Sequence, residues 1–217
     1  MKTDAQLKKD VITELEWDPA INASEVGVAV TNGVVTLTGH LDLYAKKYAI
    51  EKAVARVEGV KAIAVEMDVK LEPGHKRSDT EIATAVESAL KWHALVPDDQ
   101  IQVKVEKGWV TLRGAVSWDY QRQSAQKAVH NLVGVVGVSN AITLKPAVTP
   151  DNIANRIRDA LTRHAEREAK NIEITVHNSS VTLHGKVDSW SERAAAAGAA
   201  WDAPGISRVV NELTVGV

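Results

Sequence analysis

The sequence predicts an α+β protein of three tandem units, each running helix, strand, strand, helix, strand. Three observations predict it. The segments Val35-Thr36-Leu37-Thr38-Gly39, Val110-Thr111-Leu112-Arg113-Gly114 and Val181-Thr182-Leu183-His184-Gly185 repeat one pattern at spacings of 75 and 71 residues. A second glycine followed by an aliphatic residue arrives 20 positions after each terminal glycine: Gly59-Val60, Gly134-Val135 and Gly205-Ile206. The 217 residues, 45% hydrophobic and 25% charged, have an ordinary globular composition and divide into units of about 70, enough for small two-layer domains.

Those offsets align the elements in order. Leu7, Val11 and Leu15 match Ile82, Val86, Leu90 and Ile153, Ile157, Leu161, an i, i+4, i+8 stripe that marks one buried face of a helix. Its start is signalled by capping-box patterns at Thr3/Gln6 and Ser78/Glu81, and by Thr149 with Pro150 in the third unit. Val26, Val28 and Val30, with Ile101, Val103, Val105 and Ile172, Ile174, Val176, alternate at period two as a half-buried strand does. Turns at Asn32-Gly33, Lys107-Gly108 and Asn178-Ser179 lead into the Val-Thr-Leu-x-Gly strand as hairpins. Asp42, Ser117 and Asp188 then stand where N-caps are expected. The helix after them carries Ile50, Ala53, Val54, Val57, or Ala125, Ala128, Val129, Leu132, or only alanines at 196, 199, 200 and 203, so the third helix is expected to sit closest to its sheet. The unit closes on a strand with Ile63, Val65, Met67, Val69, matched by Val138, Asn140, Ile142, Leu144 and Val209, Asn211, Leu213, Val215.

The expected domains are 1–72, 78–146 and 149–217, separated at Pro73-Gly74-His75-Lys76-Arg77 and Pro146-Ala147-Val148. Such short linkers predict units that touch.

The triplicated Val-Thr-Leu-x-Gly strand, the second glycine and the closing strand resemble the BON domain, a bacterial module named for an osmotically inducible periplasmic protein and for nodulation-associated proteins. The resemblance covers essentially the whole chain. It implies an αββαβ fold, with two helices packed on a three-stranded mixed sheet, and no catalytic machinery. It also implies service at the cell envelope, through phospholipid binding or support of transport and osmotic tolerance.

Composition narrows the chemistry. Lys and Arg number 26 against 28 Asp and Glu, a net charge of -2, so no global positive field draws the chain to nucleic acid. The absence of cysteine removes thiolate nucleophiles, disulfides and Cys-based metal sites. No Gly-x-Ser-x-Gly elbow, phosphate-binding loop or dinucleotide fingerprint is present, and no enzyme or cofactor is expected. Asp98-Asp99 is a carboxylate pair confined to one repeat, read as a solvated turn. His93 aligns with His164, which has Glu168 one turn on, but two ligands are too few for a metal site. No apolar stretch of about 7 to 15 residues follows the early lysines as an export signal requires. The residues therefore predict a cytoplasmic chain, whereas the resemblance implies the periplasm.

Two residue sets remain. Gly39, Gly114 and Gly185 are expected to end a strand where the chain turns. Gly59, Gly134 and Gly205 are expected at helix C-termini with positive φ. The aromatic set is skewed: six Trp, three Tyr and no Phe. No Trp position is shared by all three repeats. Trp17 and Trp92 match each other but face Arg163 in the third copy, Trp109 matches Val34 and Ser180, and Trp118 matches Leu43 and Ser189. Trp190 matches Tyr44 and Asp119, and Trp201 matches Ala55 and His130. Positions that accept Ser, Asp, Arg or His are exposed in an isolated unit, so a tryptophan there is expected to meet a neighbouring domain, another subunit or a lipid interface. Trp109, opposite the buried Val110 and Leu112 on its strand, is the leading contact residue, with Trp118, Trp17, Trp92 and Trp190 beside it. The middle unit is also the only net-positive one, with 8 basic and 7 acidic residues between 77 and 146.

The function expected is that of a non-enzymatic envelope or osmotic-tolerance protein whose partners are a phospholipid surface or an envelope protein. The alternatives are a self-associating, transport-associated homo-oligomer built through the tryptophans, and a cytosolic stress or ion-sensing module.

Overall fold

The computed structural model describes residues 2–145, 153–164 and 172–216, with the backbone alone for 161–164. Each repeat follows the predicted order: α1 (Asp4–Trp17), β1 (Val26–Thr31), β2 (Val34–Leu41), α2 (Tyr44–Ala55) and β3 (Ala62–Val69) in the first. The second comprises α3 (Asp79–Lys91), β4 (Ile101–Glu106), β5 (Trp109–Val116), α4 (Asp119–Val129) and β6 (Gly137–Leu144). The third comprises α5 (Ile153–His164), β7 (Ile172–His177), β8 (Ser180–Val187), α6 (Trp190–Trp201) and β9 (Arg208–Val215). In every sheet the Val-Thr-Leu-x-Gly strand lies in the middle, antiparallel to the strand before it and parallel to the closing strand. The crossover between the parallel pair is the second helix of the repeat.

Each helix stripe and each central strand bury the described residues that periodicity assigns them, the Leu161 side chain lying outside the described residues. Leu7, Val11 and Leu15 pack with Val35, Leu37, Ile50, Ala53, Val54 and Met67 in the first core. Their counterparts fill the second and third cores. Each fully buried aliphatic side chain contributes about 1.5–3 kcal/mol of transfer free energy. Three separate cores of this size share one fold because the same positions are apolar three times.

Helix starts and hairpin turns are tied to one another. Thr3 and Ser78 form the expected capping boxes with Gln6 and Glu81. The residue after each cap, Asp4 or Asp79, reaches across the unit to its hairpin. Asp4 accepts from the Asn32 and Gly33 amides at 2.7 and 2.9 Å, and Asp79 accepts from those of Lys107 and Gly108, both at 2.8 Å. Those turns hold consecutive residues at positive φ, 53° and 80° in the first repeat, which points both amides the same way and leaves them needing an acceptor. The third cap, Thr149 with Pro150, lies outside the described residues.

Three local expectations need correction. Gly39, Gly114 and Gly185 do not end their strands but lie inside them, two residues before the end, with φ of 148°, 143° and 133°. A β-carbon on Gly39 or Gly114 would collide with the carbonyl oxygen of Glu25 or Gln100. The position demands glycine because the chain bends there with a neighbouring backbone pressed against it. Gly59, Gly134 and Gly205 do have positive φ, but they occupy the turn beyond the helix, Gly59 four residues after the last residue of α2. The second helices also start one residue later than expected. Asp42 is not a cap and pairs with Lys46 at 2.7 Å. Ser117 gives way to Trp118 at the cap position, where Gln121 accepts from both backbone amides. Ser189, not Asp188, accepts from the Glu192 amide.

The repeats touch, and their contacts close a cycle. Tyr44 of repeat 1 packs against the core of repeat 2, and Tyr48 packs at a tilt of 47° against His130 with ring centroids 4.5 Å apart. Arg122 of repeat 2 lies over the Trp201 ring of repeat 3, 4.6 Å from its centroid. Trp190 of repeat 3 packs against the core of repeat 1, where the Gly59 amide also donates to the Asp188 carbonyl. Residues 44, 119 and 190 are equivalent, as are 55, 130 and 201, so the second helix of each repeat meets the next repeat in the same head-to-tail sense, through different side chains. Heterologous contacts that return to their origin make a closed ring.

Candidate functional site

The structure divides the six tryptophans. Trp17 and Trp92, at the ends of α1 and α3, are 84% and 89% exposed. Trp92 has Leu95, also exposed, three residues on. An indole left this open has no packing role within its own repeat. Trp109 lies on the open face of its sheet, opposite Val110 and Leu112 as strand alternation requires. Its ring covers Gly137 on the paired strand, and its indole N–H donates to Ser139 Oγ at 2.9 Å. It is half-exposed, fixed from below by a glycine that leaves room for it.

The other three stand at the seams. Trp190 is wedged between the repeat 1 core and its own Arg193, whose guanidinium lies 5.0 Å from the ring centroid. Trp118 and Tyr120 flank the start of α4 and, with Asp119, Trp201 and Asp202, line an open cleft between repeats 2 and 3. The structure thus brings Trp118 and Trp201 together, places Trp190 in the seam that closes the ring, and leaves Trp17, Trp92 and Trp109 facing outward.

Electrostatics follow the seams as well. Burial pushes the Tyr44 hydroxyl pKa up, opposed by a backbone hydrogen bond from Val138 of the neighbouring repeat. Asp119 is buried and ion-paired with Arg122 one turn along α4. Arg122 aligns with Lys47 and Arg193. Lys47 donates to the Met67 carbonyl at 3.1 Å and Arg193 to the equivalent Leu213 carbonyl at 2.9 Å, tying helix to closing strand. In repeat 2 the guanidinium is drawn instead to Asp119 and Trp201.

The remaining sequence candidates separate by location. The His93 ring nitrogen accepts from the Leu95 amide at 3.4 Å, whereas the His164 side chain and Glu168 lie outside the described residues. Asp98 and Asp99 open a short 3-10 turn before β4. Tyr120, Arg122, Tyr48 and the pairing role of Tyr44 and His130 are not singled out by the sequence motifs. Their signal lies in the repeat alignment, where position 44 becomes Asp119 and Trp190.

The BON domain family matches residues 3–70, 78–146 and 149–217. The chain belongs to the BON domain family. It is a three-BON protein, with αββαβ units as the sequence predicts. A curated relative is osmotically-inducible protein Y of Escherichia coli strain K12, 26% identical over 129 residues. The match covers 58% of this chain and 64% of that relative. Similar solved chains include the C-terminal domain of CdsD, a structural protein of the type III secretion system of Chlamydia trachomatis, at 14% identity, 99% coverage of both chains and a TM-score of 0.27. A second CdsD structure matches at 15% identity over 95% of this chain and 90% of that one, with a TM-score of 0.24. Among the described residues of this BON protein, no helix is long and apolar enough to cross a membrane.

Proposed function

We infer that this BON-repeat protein is a non-enzymatic contact protein of the bacterial envelope, acting in osmotic tolerance by resting on a phospholipid surface. The observation that carries the reading is the pair Trp17 and Trp92, 84% and 89% exposed at equivalent helix ends. The reading requires both indoles, at equivalent ends of α1 and α3, to reach one surface together. Tryptophan is the side chain suited to the boundary between water and acyl chains, because its ring is apolar and its N–H is not. The name of the Escherichia coli relative supports the osmotic part of the reading.

Co-sedimentation with vesicles tests it. The full chain is expected to pellet with phosphatidylglycerol vesicles, and the double variant Trp17→Ser, Trp92→Ser is expected to lose about tenfold or more in affinity. Absence of binding to any vesicle composition rejects the lipid contact. The same indoles can pair two copies of the chain. A mass measurement showing only monomer at high concentration removes that second reading.

A further inference from the structure

The ring has three equivalent seams, and two of them are plugged by an aromatic side chain at the same position. Tyr44 fills the seam between repeats 1 and 2, and Trp190 fills the seam between repeats 3 and 1. In the seam between repeats 2 and 3 the equivalent residue is Asp119, which is too short to cross it. The result is a cleft of about 430 Å³ lined by Trp118, Asp119, Tyr120, Trp201 and Asp202. Two further differences belong to this seam alone. Position 201 is Trp where the other repeats have Ala55 and His130. Arg122 has left the closing-strand carbonyl used by Lys47 and Arg193, and its guanidinium lies over the Trp201 ring.

Three aromatic rings and two carboxylates around one opening define a recognisable chemistry. Aromatic faces carry negative electrostatic potential and attract a cation too weakly hydrated to resist leaving water. The seam shows this attraction already, because Trp201 holds a guanidinium. Asp119 is neutralised by Arg122. Asp202 is exposed, with no ion pair among the described residues, and leaves the cleft with one negative charge. Trp118 and Tyr120 are 40% and 45% exposed, so two of the rings are open to an arriving ligand. We propose that this unplugged seam is a binding site for a quaternary ammonium group, taken against the Trp118, Tyr120 and Trp201 rings with Asp202 balancing its charge. The site does not depend on the lipid reading above, which rests on Trp17 and Trp92.

The test titrates choline chloride into the full chain, followed by calorimetry and indole fluorescence. Its controls are 3,3-dimethylbutan-1-ol, the uncharged isostere, and sodium chloride at equal ionic strength. Saturable choline binding is expected, with the isostere weaker by about tenfold or more. Asp119→Tyr, which installs the plug of repeat 1, and Trp201→Ala are expected to abolish it. Trp92→Ser is expected to leave it unchanged. Asp202→Asn, on the exposed rim, is expected to weaken it about threefold, and it decides the matter if the seam variants fail to fold by circular dichroism. Failure of choline to saturate, equal binding of the isostere, or an Asp202→Asn variant with the wild-type affinity overturns the proposal. Phosphatidylcholine vesicles distinguish the source of the group. Vesicle binding that free choline displaces assigns a lipid headgroup, and choline binding without vesicle binding assigns a free solute. Loss of phosphatidylglycerol binding in the Trp17 and Trp92 variant, with choline binding intact, separates the two proposals.

Discussion

Glu51 sits half-buried on α2, and desolvation by the surrounding protein holds its carboxyl above the ordinary carboxylate range, with only Lys47 opposing. Ionisation is therefore harder in the folded chain than in the unfolded one, and the charged form opposes folding at neutral pH. The penalty is complete above the raised folded value and absent below the unfolded value of about 4.5, where the group is neutral in both states. Glu51→Gln is expected to raise the urea midpoint at pH 7 and to lose that advantage as the pH falls below 4.5. Denaturation curves at the two pH values check the sign. An unchanged midpoint at pH 7 shows that Glu51 ionises freely. Nothing in the sequence marks this residue, because its burial comes from folding and not from its neighbours in the chain.

At the scale of the element, α6 shows how a helix adapts to smaller side chains. Its buried face is built on Ala196 and Ala200, where α2 has Ile50 and Val54 and α4 has Ala125 and Val129. It lies along both β8 and β9 more extensively than α2 and α4 lie along their strands, in keeping with the closer approach that the alanines predict. Ala200 is fully buried, so Ala200→Leu is expected to overpack the interface and cost about 1–3 kcal/mol. Chemical denaturation measures the loss. A neutral result means that a void beneath α6 accepts the larger side chain. Periodicity made the element and its buried face legible. The hairpin clamps from Asp4 and Asp79 were not legible, since residues 28 positions apart become partners only once α1 and α3 lie against their turns.

For the whole molecule, the ring couples units that could each fold around a core of their own. Trp190 makes the contact that returns to repeat 1, with its ring held between that core and Arg193. Trp190→Ala is expected to cost about 2 kcal/mol, less than a fully buried tryptophan because the ring is only partly covered. It is also expected to split a single calorimetric transition into two as repeats 1 and 3 uncouple. A variant that melts as one unit at the wild-type temperature rejects the closed ring as a cooperative structure. The short linkers predict contact between units, but they do not predict a cycle.

The sequence by itself determined the number of repeats, the order of their elements, the face each buries and the glycines their backbones require. All of these are local properties, set by spacing along one chain and printed three times. Only the tertiary structure decided which tryptophans remain outside. Trp17 and Trp190 look alike in an alignment, each replaced by polar residues in another repeat, yet one is bare and the other closes the ring. The difference lies in docking between repeats, which depends on shape and charge at positions 44, 119 and 190 taken together. A tyrosine and a tryptophan fill two seams, and an aspartate leaves the third open.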